Sequence, residues 1–316
     1  MTTWIDGIDK ALVFTWDDAN PGASKVAEVF DKHGLKTTFF LNTSLLVDYH
    51  YNFIAPMRRR NTFKEIASSG HEIGSHTYSH AVLTKRTIDD VELEMTKSSD
   101  QILEIFGYRP ATMSHPTSKY NETIDSLMRL HYIDSRYSVV NDNDSLRRYM
   151  QVRTAYSFNY YKEQLDAYFS SNATSYVFGG HQADGEGYEP IRSSCLDSLL
   201  TYVQQKYGEV CWITTYGNVS LQKELRKNIE IQNNAGKVSL SFGEAEHYIT
   251  DFPQLDAMIT LCFPDENLDF ASDGLVRYWY DGKDSYCTID LRKSKELRYS
   301  VINKNVTLQE AMRGAN

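Results

Sequence analysis

The sequence predicts an α/β fold, a mostly parallel sheet that is open or closed into a barrel, followed by a small all-β domain resembling a sandwich. Three observations predict it. Short apolar runs alternate with amphipathic stretches over about 200 residues, the pattern of βα units. Several of those runs stop at polar residues that could do chemistry, namely Asp17-Asp18, His76 and His181, as expected at the C-terminal ends of parallel strands. After residue 222 the amphipathic stretches give way to closely spaced alternating segments.

Ala11-Leu-Val-Phe-Thr-Trp16 is a continuous apolar run, as a strand buried on both faces requires, and the two aspartates end it. Pro21-Gly22 marks a turn, Val26, Val29 and Phe30 give helical spacing up to Gly34, and Lys36–Leu41 is the next strand. A helix through Phe63, Ile66 and Ala67 ends at Gly70. His71–Ser75 then enters as a strand that delivers His76 at its end. Helices are predicted over Ile88–Phe106, Glu122–Leu130, Tyr161–Phe169 and Cys195–Tyr207, and strands over Pro110–Ser114, Tyr132–Val140, Ser175–Gly179 and Val210–Thr214. The domains divide at residues 1–222 and 223–316, joined through a helix at Leu221–Lys227. Beyond it, 229–242 reads as two short strands around an Asn-Ala-Gly-Lys turn, and 275–290 as a hairpin turning at Asp281-Gly282.

The 316 residues suffice for a large core, and the formal net charge of -9 with no basic cluster beyond Arg58-Arg59-Arg60 argues against a nucleic-acid surface. The 22 tyrosines are read chiefly as core and sheet-face residues. Cys195, Cys211, Cys262 and Cys287 are too widely spaced for a zinc ribbon and are read as free thiols. No apolar run reaches the ~20 residues of a membrane-spanning helix. The N-terminus lacks a secretory signal, which implies a cytoplasmic protein if the chain is complete and a periplasmic or secreted one if a leader was trimmed.

His76 and His80 lie four residues apart, a spacing that on one turn of helix points both imidazoles to the same side. Two imidazoles make half of a hydrolytic metal site, which usually needs a third protein ligand and an open position for water. Thr15-Trp-Asp-Asp18 is the best source of a carboxylate, because the predicted topology carries it to the same rim as His76, His80 and His181.

Thr15-Trp-Asp-Asp18, His76-Thr-Tyr-Ser-His80 and Phe178-Gly-Gly-His181, in that order, resemble the polysaccharide deacetylase family, also called NodB-homology or carbohydrate esterase family 4. The resemblance spans about Lys10 to Gly217. It implies a distorted (β/α) barrel and metal-dependent removal of acetyl groups from an acetylated carbohydrate. It further implies that Asp17 is the general base, that Asp18, His76 and His80 hold one divalent metal ion, and that His181 is the general acid. Zn2+ suits that ligand set best, and Co, Ni, Mn or Fe also fit it. The stretch Met113–Ser118 matches the third motif, so that His115 and Pro116 are expected at the substrate. The chain departs from the family there: Ser114 stands where the arginine that orients the base is usual, leaving His115 and Arg153 as candidates for that task. The first motif also lacks its usual closing glycine, reading Trp16-Asp-Asp-Ala19. The missing arginine motivates one alternative, a carbohydrate-binding protein on a decayed deacetylase scaffold; a second is an amidohydrolase acting on a small nitrogenous compound, since related barrels with this metal arrangement need not act on sugars. The oligomeric state is left open.

Overall fold

The computed structural model describes residues 4–47, 54–136, 149–151, 153, 155–185, 188–234 and 236–302. Within them the first part of the chain alternates β1 (Lys10–Asp17), α1 (Ala23–Lys32), β2 (Thr38–Leu41), the single turn α2 (Ser44–Val47), α3 (Ile54–Ser68), β3 (Glu72–Ser75), α4 (Ile88–Phe106), β4 (Thr112–Ser114), α5 (Glu122–Met128), β5 (Asp134–Arg136), β6 (Tyr149–Gln151), α6 (Phe158–Ser170), β7 (Ser175–Gly180), α7 (Ser193–Tyr207) and β8 (Cys211–Thr214). The sequence reading lacks only α2 and β6. The end of its Tyr132–Val140 strand, residues 137–140, lies outside the described residues.

β1 is the hub of the sheet because it can be buried on both faces: Ala11 through Trp16 are all 0% exposed. It pairs in parallel with β7 from Ala11↔Ser175 to Trp16↔Gly180. Its other edge is divided, with β8 taking Lys10–Val13 and β2 taking Thr15–Asp17. The strand order β5-β4-β3-β2-β1-β7-β6 leaves β5 and β6 at the two ends, so the described strands form the distorted, incompletely closed barrel that was expected. Helices pack on it through apolar stripes. In α4 these are Val91, Met95, Ile102 and Ile105, with Thr87 Oγ1 accepting from Asp90 N at 3.2 Å at one end and the left-handed Gly107 (φ 85) at the other. Phe14 stacks on Phe178 at 5.1 Å and meets the edge of Phe30 at 5.3 Å inside this core.

The helix α8 (Tyr216–Asn228) is longer than the linker helix expected and runs across residue 222. Its N-terminus is seated on the barrel: the Glu72 carboxylate accepts from Gly217 N, Thr38 Oγ1 and Thr112 Oγ1 at 2.8, 2.8 and 2.7 Å. A Cβ at Gly217 would lie 2.5 Å from Glu72 Oε1, so this contact requires glycine. Its other end feeds β9 (Glu230–Asn234), β10 (Lys237–Ser241), the short α9 (His247–Asp251), β11 (Met258–Phe263), β12 (Leu268–Ala271), β13 (Leu275–Tyr280), β14 (Ser285–Asp290) and β15 (Glu296–Val301). These strands make two antiparallel sheets, β12-β15-β10-β9 and β11-β14-β13, as the alternating pattern and the hairpin signals predict. Leu240, Leu261, Phe270 and Ile289 fill the space between them together with Leu221 and Leu225 of α8 and Ala111 and Ile133 of the barrel, so the β part shares its core with the barrel. A second tie precedes β1. Asp6 N donates to Thr260 Oγ1 at 2.7 Å, and Asp6 Oδ1 accepts from Arg277 Nε at 2.7 Å and Thr288 Oγ1 at 2.8 Å.

Candidate metal centre and active site

The parallel register gathers the singled-out residues at one rim. Trp16 pairs with Gly180, Asp17 with Phe40, and Leu41 with Ser75, so Asp17 and His181 leave β1 and β7 level with each other and His76 leaves β3 at the same rim, about two residues further along. Asp18 follows β1 with φ 66, and this left-handed turn aims its carboxylate across β2. Asp18 Oδ1 lies 3.8 Å from His76 Nε2 and 3.6 Å from His80 Nε2, and the ligand atoms of the three residues all fall within 4.8 Å of one another. Bonds of ~2.0–2.2 Å in a tetrahedral arrangement would separate ligand atoms by about 3.3–3.6 Å, so the donor set fits a small divalent cation such as zinc.

The His76–His80 segment is not the helical turn that its spacing suggests. It is a loop, with φ 67 at Thr77 and 60 at His80. Leaving a strand at the sheet rim, it finds its backbone partners next door instead of along a helix: Thr43 N donates to Thr77 O at 3.2 Å and Ser44 N to Tyr78 O at 2.8 Å. Both imidazoles still face one side, with ring centroids 4.8 Å apart. His76 Nδ1 donates to Ser114 O at 2.7 Å; a carbonyl can only accept, so the Nε2 lone pair is left facing Asp18. Burial holds the His76 pKa down against the opposing pull of Asp17 and Asp18, which keeps the imidazole in its ligating form.

The aspartate pair is braced from two sides. Asn42 Oδ1 accepts from Ala19 N at 3.2 Å, and Asn20 Nδ2 donates to Asp17 O at 3.3 Å. The missing closing glycine thus carries no strain here, because the left-handed residue is Asp18 and Ala19 packs into the core at 1% exposure.

Asp17 is steadied by Arg136, a residue the sequence reading did not single out. Arg136 reaches from β5, where it pairs with Ser114 of β4. Its Nη2 donates to Asp17 Oδ2 and, at 2.8 Å, to Ser114 Oγ, while Nη1 donates to Thr15 Oγ1. A guanidinium one strand away therefore enters the space above the serine. The two earlier candidates are engaged elsewhere: Arg153 Nη1 meets Glu189 Oε1 at 2.6 Å, and His115 Nε2 meets Ser135 Oγ at 3.1 Å. Arg109 also lies apart, paired with Asp100 at 2.8 Å. The available signal was an arginine inside the predicted strand Tyr132–Val140, directly after Ile133-Asp-Ser. Burial raises the Asp17 pKa, but the charge of Arg136, then the electrostatic influence of the His76 and His181 rings, and the Arg136 hydrogen bond outweigh it and hold Asp17 below the usual carboxylate value. Asp17 Oδ1 is buried and has no hydrogen-bond partner among the described residues, so a lone pair is left for a ligand proton.

His181 follows Gly180, half-buried, with the Tyr188 ring edge-on at 4.6 Å. His115 and Pro116, expected at the substrate, are both buried, His115 at 1% exposure.

The sequence pattern of the polysaccharide deacetylase family matches residues 5–134, a span that contains Asp17, Asp18, His76 and His80. A chitin deacetylase from Arthroderma benhamiae is 33% identical over 133 residues, 40% of this chain and 34% of that protein. A peptidoglycan-N-acetylglucosamine deacetylase from Listeria monocytogenes is 28% identical over 119 residues, 37% of this chain and 23% of that protein. The match therefore covers only about a third or less of the length of these curated relatives. Among solved structures, a candidate polysaccharide deacetylase from Mycobacterium smegmatis aligns with a TM-score of 0.52 at 17% identity, over 71% of this chain and 93% of that one, which shows a common fold. Over residues 5–134, then, the barrel part of this chain is similar to the polysaccharide deacetylase family.

Proposed function

We propose that this protein is a metal-dependent hydrolase that removes acetyl groups from an N- or O-acetylated saccharide. The observation that carries the reading is the meeting, at one rim, of the Asp18, His76 and His80 ligand set with an Asp17 that Arg136 holds ionised. A divalent cation bound by the three ligands would polarise the acetyl carbonyl and lower the pKa of a water molecule toward ~7. The protein's own groups handle the protons. Asp17 Oδ1 accepts the proton of the attacking water, and His181 donates one to the departing amine or alcohol, so that acetate leaves with the deacetylated sugar.

The names of the relatives, a chitin deacetylase and a peptidoglycan-N-acetylglucosamine deacetylase, favour an N-acetylated hexosamine as the substrate unit. The missing third-motif arginine was the ground for a decayed, purely carbohydrate-binding scaffold. With Arg136 supplying a guanidinium to Asp17 from the adjoining strand, that ground is gone. The test is acetate release from a panel of N- and O-acetylated oligosaccharides with zinc supplied. The wild type should release acetate and Asp17→Asn should release none while binding the metal equally well. Metal binding without turnover on any amide or ester would overturn the proposal.

A further inference from the structure

The metal loop is held from two directions, and only one of them is the sheet. On the side away from β2, one face of α4 presents Glu94, Lys97 and Ser98, the i, i+3 and i+4 positions of a helical turn. Ser98 Oγ lies 2.8 Å from Ser75 Oγ at the start of the loop, and Lys97 Nζ sits 3.6 Å above the Tyr78 ring. Glu94 takes Ser79 with both oxygens: Oε2 accepts from Ser79 N at 2.8 Å and Oε1 from Ser79 Oγ at 2.6 Å.

The geometry points to Glu94 as the positioning residue for His80, an inference that rests on the reading of His80 as a metal ligand. His80 needs such a device more than His76 does. The His76 ring is buried and fixed by Ser114 O, whereas the His80 side chain is 38% exposed and its backbone stands at φ 60, a conformation that disfavours any residue with a Cβ. No helical ladder runs through the loop to enforce it. Two charge-assisted hydrogen bonds to the residue immediately before His80 fix both the peptide plane and the side-chain rotamer of Ser79, and so restrict the direction in which the chain enters His80. An ion held this far out contributes little to overall stability. Its effect is preorganisation: without it His80 samples other directions, and a cation must select the ligating one.

The experiment is zinc affinity by competition with a chromophoric chelator, with thermal unfolding of the metal-free protein measured alongside. Glu94→Ala should weaken zinc binding by about 10-fold, the lower end of the range found when direct partners of metal ligands are removed, because Glu94 acts one residue away from His80. Glu94→Gln, which keeps the shape and one acceptor, and Ser79→Ala, which keeps the N–H donor, should each weaken it less, and the metal-free melting temperature should stay close to that of the wild type. The same Glu94→Ala change made in a His80→Ala background should have no further effect, because the residue it positions is gone. Unchanged affinity in Glu94→Ala overturns the inference. So does an equal loss in the His80→Ala background, the result expected if Glu94 acted only through its charge or through the fold. If His80→Ala itself leaves zinc affinity unchanged, the metal-centre reading falls and this inference falls with it.

Discussion

Replacing Arg136 by methionine tests whether a guanidinium from β5 does the work of the arginine absent from β4. The methionine fills the volume but removes the charge and the donors to Asp17, Thr15 and Ser114, leaving a buried carboxylate with only His76 and His181 to offset its desolvation. Loss of an opposite charge at this range raises a carboxyl pKa by about 1–3 units, so the acid limb of kcat/KM should move up by that amount. Near neutrality kcat/KM should fall by about 10²-fold, the lower end of what a well-placed base contributes. Stability should respond in step. In the wild type the Asp17 pKa lies below its unfolded value of 3.8, so its contribution is fully present above that value and is lost as pH falls through the folded pKa. In the variant the shift is reversed, so the deficit, about 3–5 kcal/mol for breaking a buried pair, should be largest near neutral pH and shrink on acidification. The assays are acetate release against pH and urea unfolding at pH 7 and pH 5. A double variant, Ser114→Arg with Arg136→Ser, returns the guanidinium to the strand usual in the family and should recover at least about 10-fold of the lost kcat/KM. An acid limb that does not move in Arg136→Met, with kcat/KM within about threefold of wild type, would refute the reasoning.

Two further outcomes follow from the barrel. His71 is 2% exposed, Nδ1 accepts from Thr37 N at 3.2 Å, and burial lowers its pKa from 6.5 to about 4 against the opposing pull of Asp31. Its folded pKa lies below the unfolded one, so the stability contributed by keeping it neutral is present above 6.5 and is lost as pH falls toward about 4, at most about 3 kcal/mol; His71→Asn should flatten the fall in urea midpoint between pH 7 and 4.5, and an unchanged slope would show that other groups set it. At Gly74 a Cβ would lie 2.5 Å from Phe40 Cδ1 and 3.0 Å from Thr112 O, so Gly74→Ala should cost about 1–3 kcal/mol by overpacking and lower the melting temperature.

The elements legible in the sequence are those whose signal is local. The run from Ala11 to Trp16, stopped by two aspartates, reads as a doubly buried strand, and the periodicity of Ile88–Phe106 with Gly107 after it marks α4. The rim followed from the alternation, because parallel strands place their C-terminal ends together. Pairing register is not local, and this is why Arg136 escaped: nothing in the spacing says that it stands beside Ser114 and above Asp17. The conformation of the His76–His80 loop was misjudged for a related reason. A separation of four suits a helical turn, but the partners that hold the loop open, Thr43, Ser44 and Glu94, come from other segments. Likewise the periodic Leu221 and Leu225 announce a helix, and only the fold shows that they complete a core shared with the β sheets.

The most direct test of the account is elemental analysis of wild type and His76→Ala side by side, with acetate release measured in the same samples. The account predicts one metal ion per wild-type chain together with acetate release, and the loss of both in His76→Ala, since His76 supplies one of the three ligand atoms grouped at the rim. Metal retained at wild-type stoichiometry in His76→Ala would contradict the ligand assignment on which the proposed chemistry stands.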